Sequence, residues 1–149
     1  MLNLNDKILI ENEIKGCFDY FWYETNTDIN SKGFGLVRDI TNKDIASIAA
    51  VGFALPAYMI GVEHNLVSFE DAYNRVLNTL KTVRDNVPSH HGFLAHFVNY
   101  YTTEMVPNTE YSTIDTAILL MGAITVGEYF KGEVKKIVTE LTERTDWDY

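Results

Sequence analysis

The stretch Glu110–Phe130, EYSTIDTAILLMGAITVGEYF, constrains this chain more than any other. Glu110, Ser112, Thr113 and Asp115 make its head polar, and from Ala117 to Val126 nearly every residue is apolar or small. A helix apolar on almost every face has to lie inside a larger body. Its polar head then opens either onto a cap that closes the helix or onto a pocket.

A second stretch, Ile45–Val62, is as apolar, with Ser47 its strongly polar residue. Its length approaches that of a membrane span. It is rich in Ala and Gly, contains Pro56, and lacks a flanking cluster of Lys and Arg. A buried helix over Lys43–His64, kinked at Pro56, is therefore expected rather than membrane insertion. Three further helices are expected at Asp6–Glu24, Phe69–Asp85 and Gly132–Arg144, each with an apolar stripe at 3–4 spacing. In the first, Ile10, Ile14, Cys17, Phe18, Phe21 and Trp22 form that stripe. Its aromatic run, Phe18–Tyr23, is heavy for a surface helix and implies contact with a second layer or a cleft. Thr25–Thr41 reads as a loop, and Asn86–Asn108 as a long irregular segment with an extended piece near Phe93–Asn99. Amphipathic and buried helices thus alternate, which is the pattern of two helix layers. The fold class expected is all-α, with about five helices in alternating inner and outer layers in one domain over residues 1–149.

The chain has 149 residues, 46% of them hydrophobic, enough for one real core. Its 12 basic and 21 acidic residues give a net charge of −9, which argues against a nucleic-acid partner or an anionic membrane. Cys17 is single, so no intrachain disulfide forms. Met1–Lys7 shows no basic region leading into an apolar one, so no signal peptide is read there.

Two carboxylates, Glu110 and Asp115, stand at the head of an inner helix, and paired carboxylates are what sugar-cleaving chemistry needs. Capping accounts for Asp115 as well, since Ser112-Thr113-Ile114-Asp115 fits a helix-start signal. The same signal stands at Thr41–Asp44 and Ser68–Asp71. Capping a helix and lining a pocket are compatible roles. Arg38-Asp39 before an inner helix could meet substrate hydroxyls or form an exposed loop ion pair. His96, among Phe93, Phe97 and Tyr100, could stack on or bond a sugar, or be a structural histidine. His90, His91 and His96 lack the partner spacing of a zinc site, so neither a metal nor a cofactor is expected.

Several segments, taken in order, resemble the glucoamylase-like family of bacterial carbohydrate-active proteins, which includes endo-β-1,2-glucanases and the matching domain of cyclic β-1,2-glucan synthases. They are Phe18–Trp22, Gly35–Asp39, Ala46–Leu55, Gly92-Phe93 with His96-Phe97, Glu110–Ala117 and Arg144–Trp147. The resemblance implies part of an (α/α)6 toroid whose inner helices surround a glucan cleft worked by acidic residues without a metal. It implies catalytic roles for Asp115 and Glu110, and substrate binding for Arg38, Asp39 and His96. It also implies a glycoside hydrolase domain for a β-glucan, β-1,2-linked, of which this chain supplies the N-terminal portion and is inactive alone. For the full-length protein it suggests a periplasmic or secreted location. The alternatives are a non-catalytic glucan-binding or self-assembling module, whose open side a second copy covers, and another α/α-toroid enzyme such as a polysaccharide lyase or an epimerase.

Overall fold

The computed structural model describes residues 3–149, so the leader reading at Met1 and Leu2 lies outside the described residues. Five helices carry the fold: α1 (Leu4–Tyr23), α2 (Ile48–Glu63), α3 (Phe69–Asp85), α4 (Thr113–Phe130) and α5 (Gly132–Glu143). Side-chain caps set four of the starts. Asn3, Ser47, Ser68 and Ser112 each accept a hydrogen bond from a backbone N–H in the first turn.

Two expected boundaries move. The helix expected from Lys43 begins only at Ile48, because Ile45–Ser47 forms a short strand, β1, instead. The Thr41–Asp44 start signal is therefore unused. The other inner helix begins at Thr113, leaving Glu110 in extended chain ahead of it. Two more short strands, β2 (Ser89–His90) and β3 (Phe93–Leu94), pair with each other. A last one, β4 (Phe97–Asn99), runs antiparallel to β1, with Ser47 opposite Phe97 and Ile45 opposite Asn99. The long irregular segment thus contains real strands, and their pairing partner is what displaces the start of α2.

α2 and α4 lie side by side as an inner layer, with α1 against α2, α3 against α2 and α5, and α5 against α4. Leu55, Leu80, Leu119 and Val126 are fully buried between them. Only the later part of the α1 stripe takes part: Phe18 is buried, whereas Ile10 and Cys17 are exposed. The two inner helices touch through glycine. A Cβ on Gly122 would stand 2.0 Å from the Gly52 carbonyl oxygen, and one on Gly52 would stand 2.8 Å from the Ile118 backbone. Only residues without a Cβ permit that approach.

The loop after α1 is lashed to α3. Thr79 Oγ1 donates to the Gly35 carbonyl at 2.9 Å and Thr82 Oγ1 to that of Phe34 at 2.5 Å. Buried Asn26 donates to the Tyr100 carbonyl at 3.0 Å, tying the same loop to the turn after β4.

One face of the inner layer is open. Phe53, Ile114 and Met121 are 57%, 65% and 71% exposed around a groove of about 370 Å³ floored by Gly52, Gly122 and Pro56. The inner helices are apolar all round, but they are not covered all round. By length and composition α4 alone among the described residues could cross a membrane, and half of it is buried in this fold.

Gly122→Ala should lower stability by about 2–3 kcal/mol through overpacking, despite the better helix propensity of Ala. Met121→Ala, one position away on the open face, should change it by no more than about 0.5 kcal/mol. Urea unfolding of the two variants checks both.

Candidate functional site

The head of α4 and the head of α2 meet across the segment 93–98. His96 N–H donates to the Glu110 carbonyl at 2.9 Å, and the Ile48 N–H at the start of α2 donates to the His96 carbonyl at 3.1 Å. Ser112 N–H donates to the Leu94 carbonyl at 2.9 Å, and Leu94 N–H donates to Thr116 Oγ1 at 2.9 Å. Buried backbone polar groups need partners, and this segment finds them on both helix heads. Residue 96 is thereby held between two helix N-termini, where partial positive charge favours anions.

On that frame three side chains converge. His96 Nδ1 lies 2.9 Å from Glu110 Oε1, and His96 Nε2 lies 3.6 Å from Asp115 Oδ1. The imidazole ring stacks on Phe97 with centroids 3.7 Å apart. A neutral imidazole has one N–H, so both contacts are attractive at once only for the imidazolium. The two carboxylates differ in access: the Asp115 side chain is 10% exposed and that of Glu110 is 64%. Asp115 is engaged on both sides. Its Oδ2 accepts the Ser112 hydroxyl, its backbone N–H returns a bond to Ser112 Oγ at 3.2 Å, and Oδ1 faces the imidazole. One residue therefore both caps α4 and faces the imidazole. Glu110 offers its second oxygen to solvent. The hydrogen bond from His96 holds the Glu110 carboxyl below its ordinary range.

His96, Glu110 and Asp115 also each offer one ligand atom within 4.8 Å of one another, the spacing of a loose metal site. The ring, however, turns a different nitrogen to each carboxylate. A single ion could take Nε2 with Asp115 or Nδ1 with Glu110, but all three would need the ring to turn.

Arg38 and Asp39 lie elsewhere in the mini-sheet, where Arg38 bridges to Ala46 of β1. Arg38 Nε donates to the Lys43 carbonyl at 3.0 Å, Nη2 to Tyr101 Oη at 3.1 Å, and Nη1 stands 3.7 Å from Glu24 Oε2. Its guanidinium also lies 4.1 Å over the Tyr100 ring. Every nitrogen of this arginine already meets a protein group. Asp39 is held by its backbone, which donates to Ile45 and accepts from Tyr20 Oη at 3.0 Å. No hydrogen bond, ion pair or ring contact joins Arg38 or Asp39 to His96 among the described residues. Sequence reasoning missed Thr116 as a tie between helix and strand. Its side chain reads as a neutral residue in a helix, and its partner is a backbone group 22 positions away.

No protein-family model matches the chain, and no curated protein sequence matches it. Solved structures do. A candidate glucoamylase from Bacteroides uniformis superposes with a TM-score of 0.85 at 25% identity, over 99% of this chain and 37% of that one. A β-1,2-glucanase from Parabacteroides distasonis gives 0.78 at 22% identity, over 97% of this chain and 21% of that one. An endo-β-1,2-glucanase from Chitinophaga pinensis, solved with sophorotriose and glucose, gives 0.72 at 16% identity, over 97% and 36%. The chain thus spans between a fifth and two fifths of the length of these structures. Its fold is part of the (α/α)6 toroid of glucoamylase-like enzymes, as the ordered motifs implied.

Because the Glu110 carboxyl is lowered by its bond to His96, it favours the folded state above the ordinary glutamate range. That contribution is lost as pH falls through the lowered value. His96→Gln should raise the Glu110 carboxyl back toward its ordinary range, as read by a ¹³C-detected NMR titration.

Proposed function

We propose that this chain supplies one side of the cleft of a glycoside hydrolase acting on a β-glucan, β-1,2-linked, as a single partial domain over residues 1–149. The observation that carries this reading is the Asp115–His96–Glu110 chain of side chains at two converging helix heads, on a scaffold shared with β-1,2-glucanases. Glu110 is the group that reaches solvent, and His96 orients it. Asp115 orients His96 while closing the first turn of α4.

A glycosidase needs one carboxyl group to protonate the leaving oxygen and another to activate water or attack the sugar. A carboxyl held below its ordinary range fits the base rather than the acid at neutral pH. Asp115 is 10% exposed and spent on the Ser112 hydroxyl and the imidazole, so the general acid comes from outside this set of residues. Arg38 serves the cleft indirectly, by fixing the turn that carries Tyr100 and Tyr101.

A second reading, a self-assembling helical module, is favoured by the open apolar face around Phe53 and Met121. Light scattering of the purified chain reads it directly, as a discrete dimer rather than a monomer.

Incubation with linear β-1,2-glucan should yield no shortened oligosaccharides from this chain alone. It should bind the glucan, with Glu110→Gln and His96→Ala each weakening binding about tenfold, as for the loss of one charge-assisted hydrogen bond. Turnover by the chain that survives Glu110→Gln would defeat the assignment.

A further inference from the structure

Away from the carboxylate cluster, the loop after α1 and the exposed side of α3 border an open cavity of about 260 Å³ with mixed polar and apolar walls. Trp22 and Phe34 supply its apolar walls, and Asp71, Asn74, Arg75 and Asn78 line it from α3. These positions are spaced as neighbours on one helix face. The cavity is built rather than incidental. The Thr79 and Thr82 hydrogen bonds hold Gly35 and Phe34 in place above it, and Gly35 has φ +89 with no room for a Cβ against Thr79. The Arg75 guanidinium lies 4.0 Å over the Trp22 ring, with Nη1 donating to the Trp22 carbonyl at 3.0 Å. Its orientation is fixed before any ligand arrives.

We infer that this cavity binds a single neutral sugar unit of a glucan, at a site separate from the carboxylate cluster. Its polar groups are mixed in kind. The amides of Asn74 and Asn78 each offer a donor and an acceptor, and neither makes a hydrogen bond within the chain among the described residues. Asp71 uses one oxygen on the Ser68 hydroxyl at 2.6 Å, and its other oxygen remains an acceptor. Vicinal hydroxyls, which donate and accept together, match this set. A purely apolar ligand would leave both amides unpaired, at the cost of burying them. An anion would meet Arg75 but also the Asp71 carboxylate, on a chain of net charge −9. Asn74 and Asn78 stand one helical turn apart, with Cβ atoms about 5–6 Å from each other, comparable to the width of one pyranose ring. Phe34 offers an apolar wall to the C–H face of such a ring, while the Trp22 ring, covered by Arg75 and stacked on Phe18, borders it without a free face.

The test uses the whole chain and sophorose as the probe, followed by NMR at the Asn side-chain amides and the Trp22 indole N–H. Sophorose should shift the Asn74, Asn78 and Trp22 signals saturably. Asn74→Ala with Asn78→Ala should weaken that binding about tenfold or more, as expected for two lost hydrogen bonds. Glu110→Gln should leave these shifts within twofold, which separates this site from the carboxylate cluster. Three results would overturn the inference: no saturable shift at these three groups, shifts lost in Glu110→Gln but kept in the Asn variant, or displacement of sophorose by sodium sulfate at equal concentration. The second would leave the carboxylate site standing and remove this one.

Discussion

Gly52 and Gly122 let the backbones of α2 and α4 touch, and that contact determines where both helix heads lie. Any side chain at either position would have to push the helices apart, because the opposing atoms are backbone and cannot rotate away. With the axes this close, the N-termini of α2 and α4 come near enough for one short segment to bond to both. His96 belongs to that segment, and its carbonyl and N–H are spent on the two heads. The imidazole, stacked on Phe97, then lies between Asp115 of the α4 head and Glu110 just ahead of it. Packing two small residues therefore places three titratable ones.

The same economy explains why the helix cap and the contact with His96 fall on the same residue. A helix head needs acceptors for its free N–H groups, and Ser112 with Asp115 provides them. The partial positive charge of that head favours the very carboxylate that caps it. An Asp already buried and anchored is a firm base from which to orient a histidine. Glu110, outside the helix, is anchored first by the imidazole and then by its own backbone N–H, which is why its carboxyl responds to His96 while its outer side stays exposed.

What could be read from the sequence follows the range of the interactions involved. Helix periodicity and start signals are local, so α3 falls where its stripe and the Ser68 signal put it. Asp115 and Ser112 were visible as a pair for the same reason. The start of α2 was not, because Ile45–Ser47 is claimed by β4, more than forty residues later, and short strands leave little periodic trace. His96 stood apart from His90 and His91 through its aromatic neighbours and the motif it falls in, and the fold adds that its backbone bridges the two helix heads. Arg38 depends on distant residues in the same way. In sequence it is a cation before an inner helix, but in the fold its nitrogens are spent on Lys43, Tyr101 and Glu24. The α3 cavity gave no signal at all. Asn74 and Asn78 look like ordinary residues on the wet face of an amphipathic helix until the loop before them is folded down.

The open face and the one-sided site share a geometric cause. The inner helices α2 and α4 are apolar on the side left open, and their N-terminal heads converge on the backbone of His96. Phe53, Ile114 and Met121 point out from the open side, while Glu110 and His96 stand at the heads. On the reading proposed above, helices that covered the apolar face would also bring groups up to Glu110, so that closing the apolar core and completing a carboxyl pair would be one event.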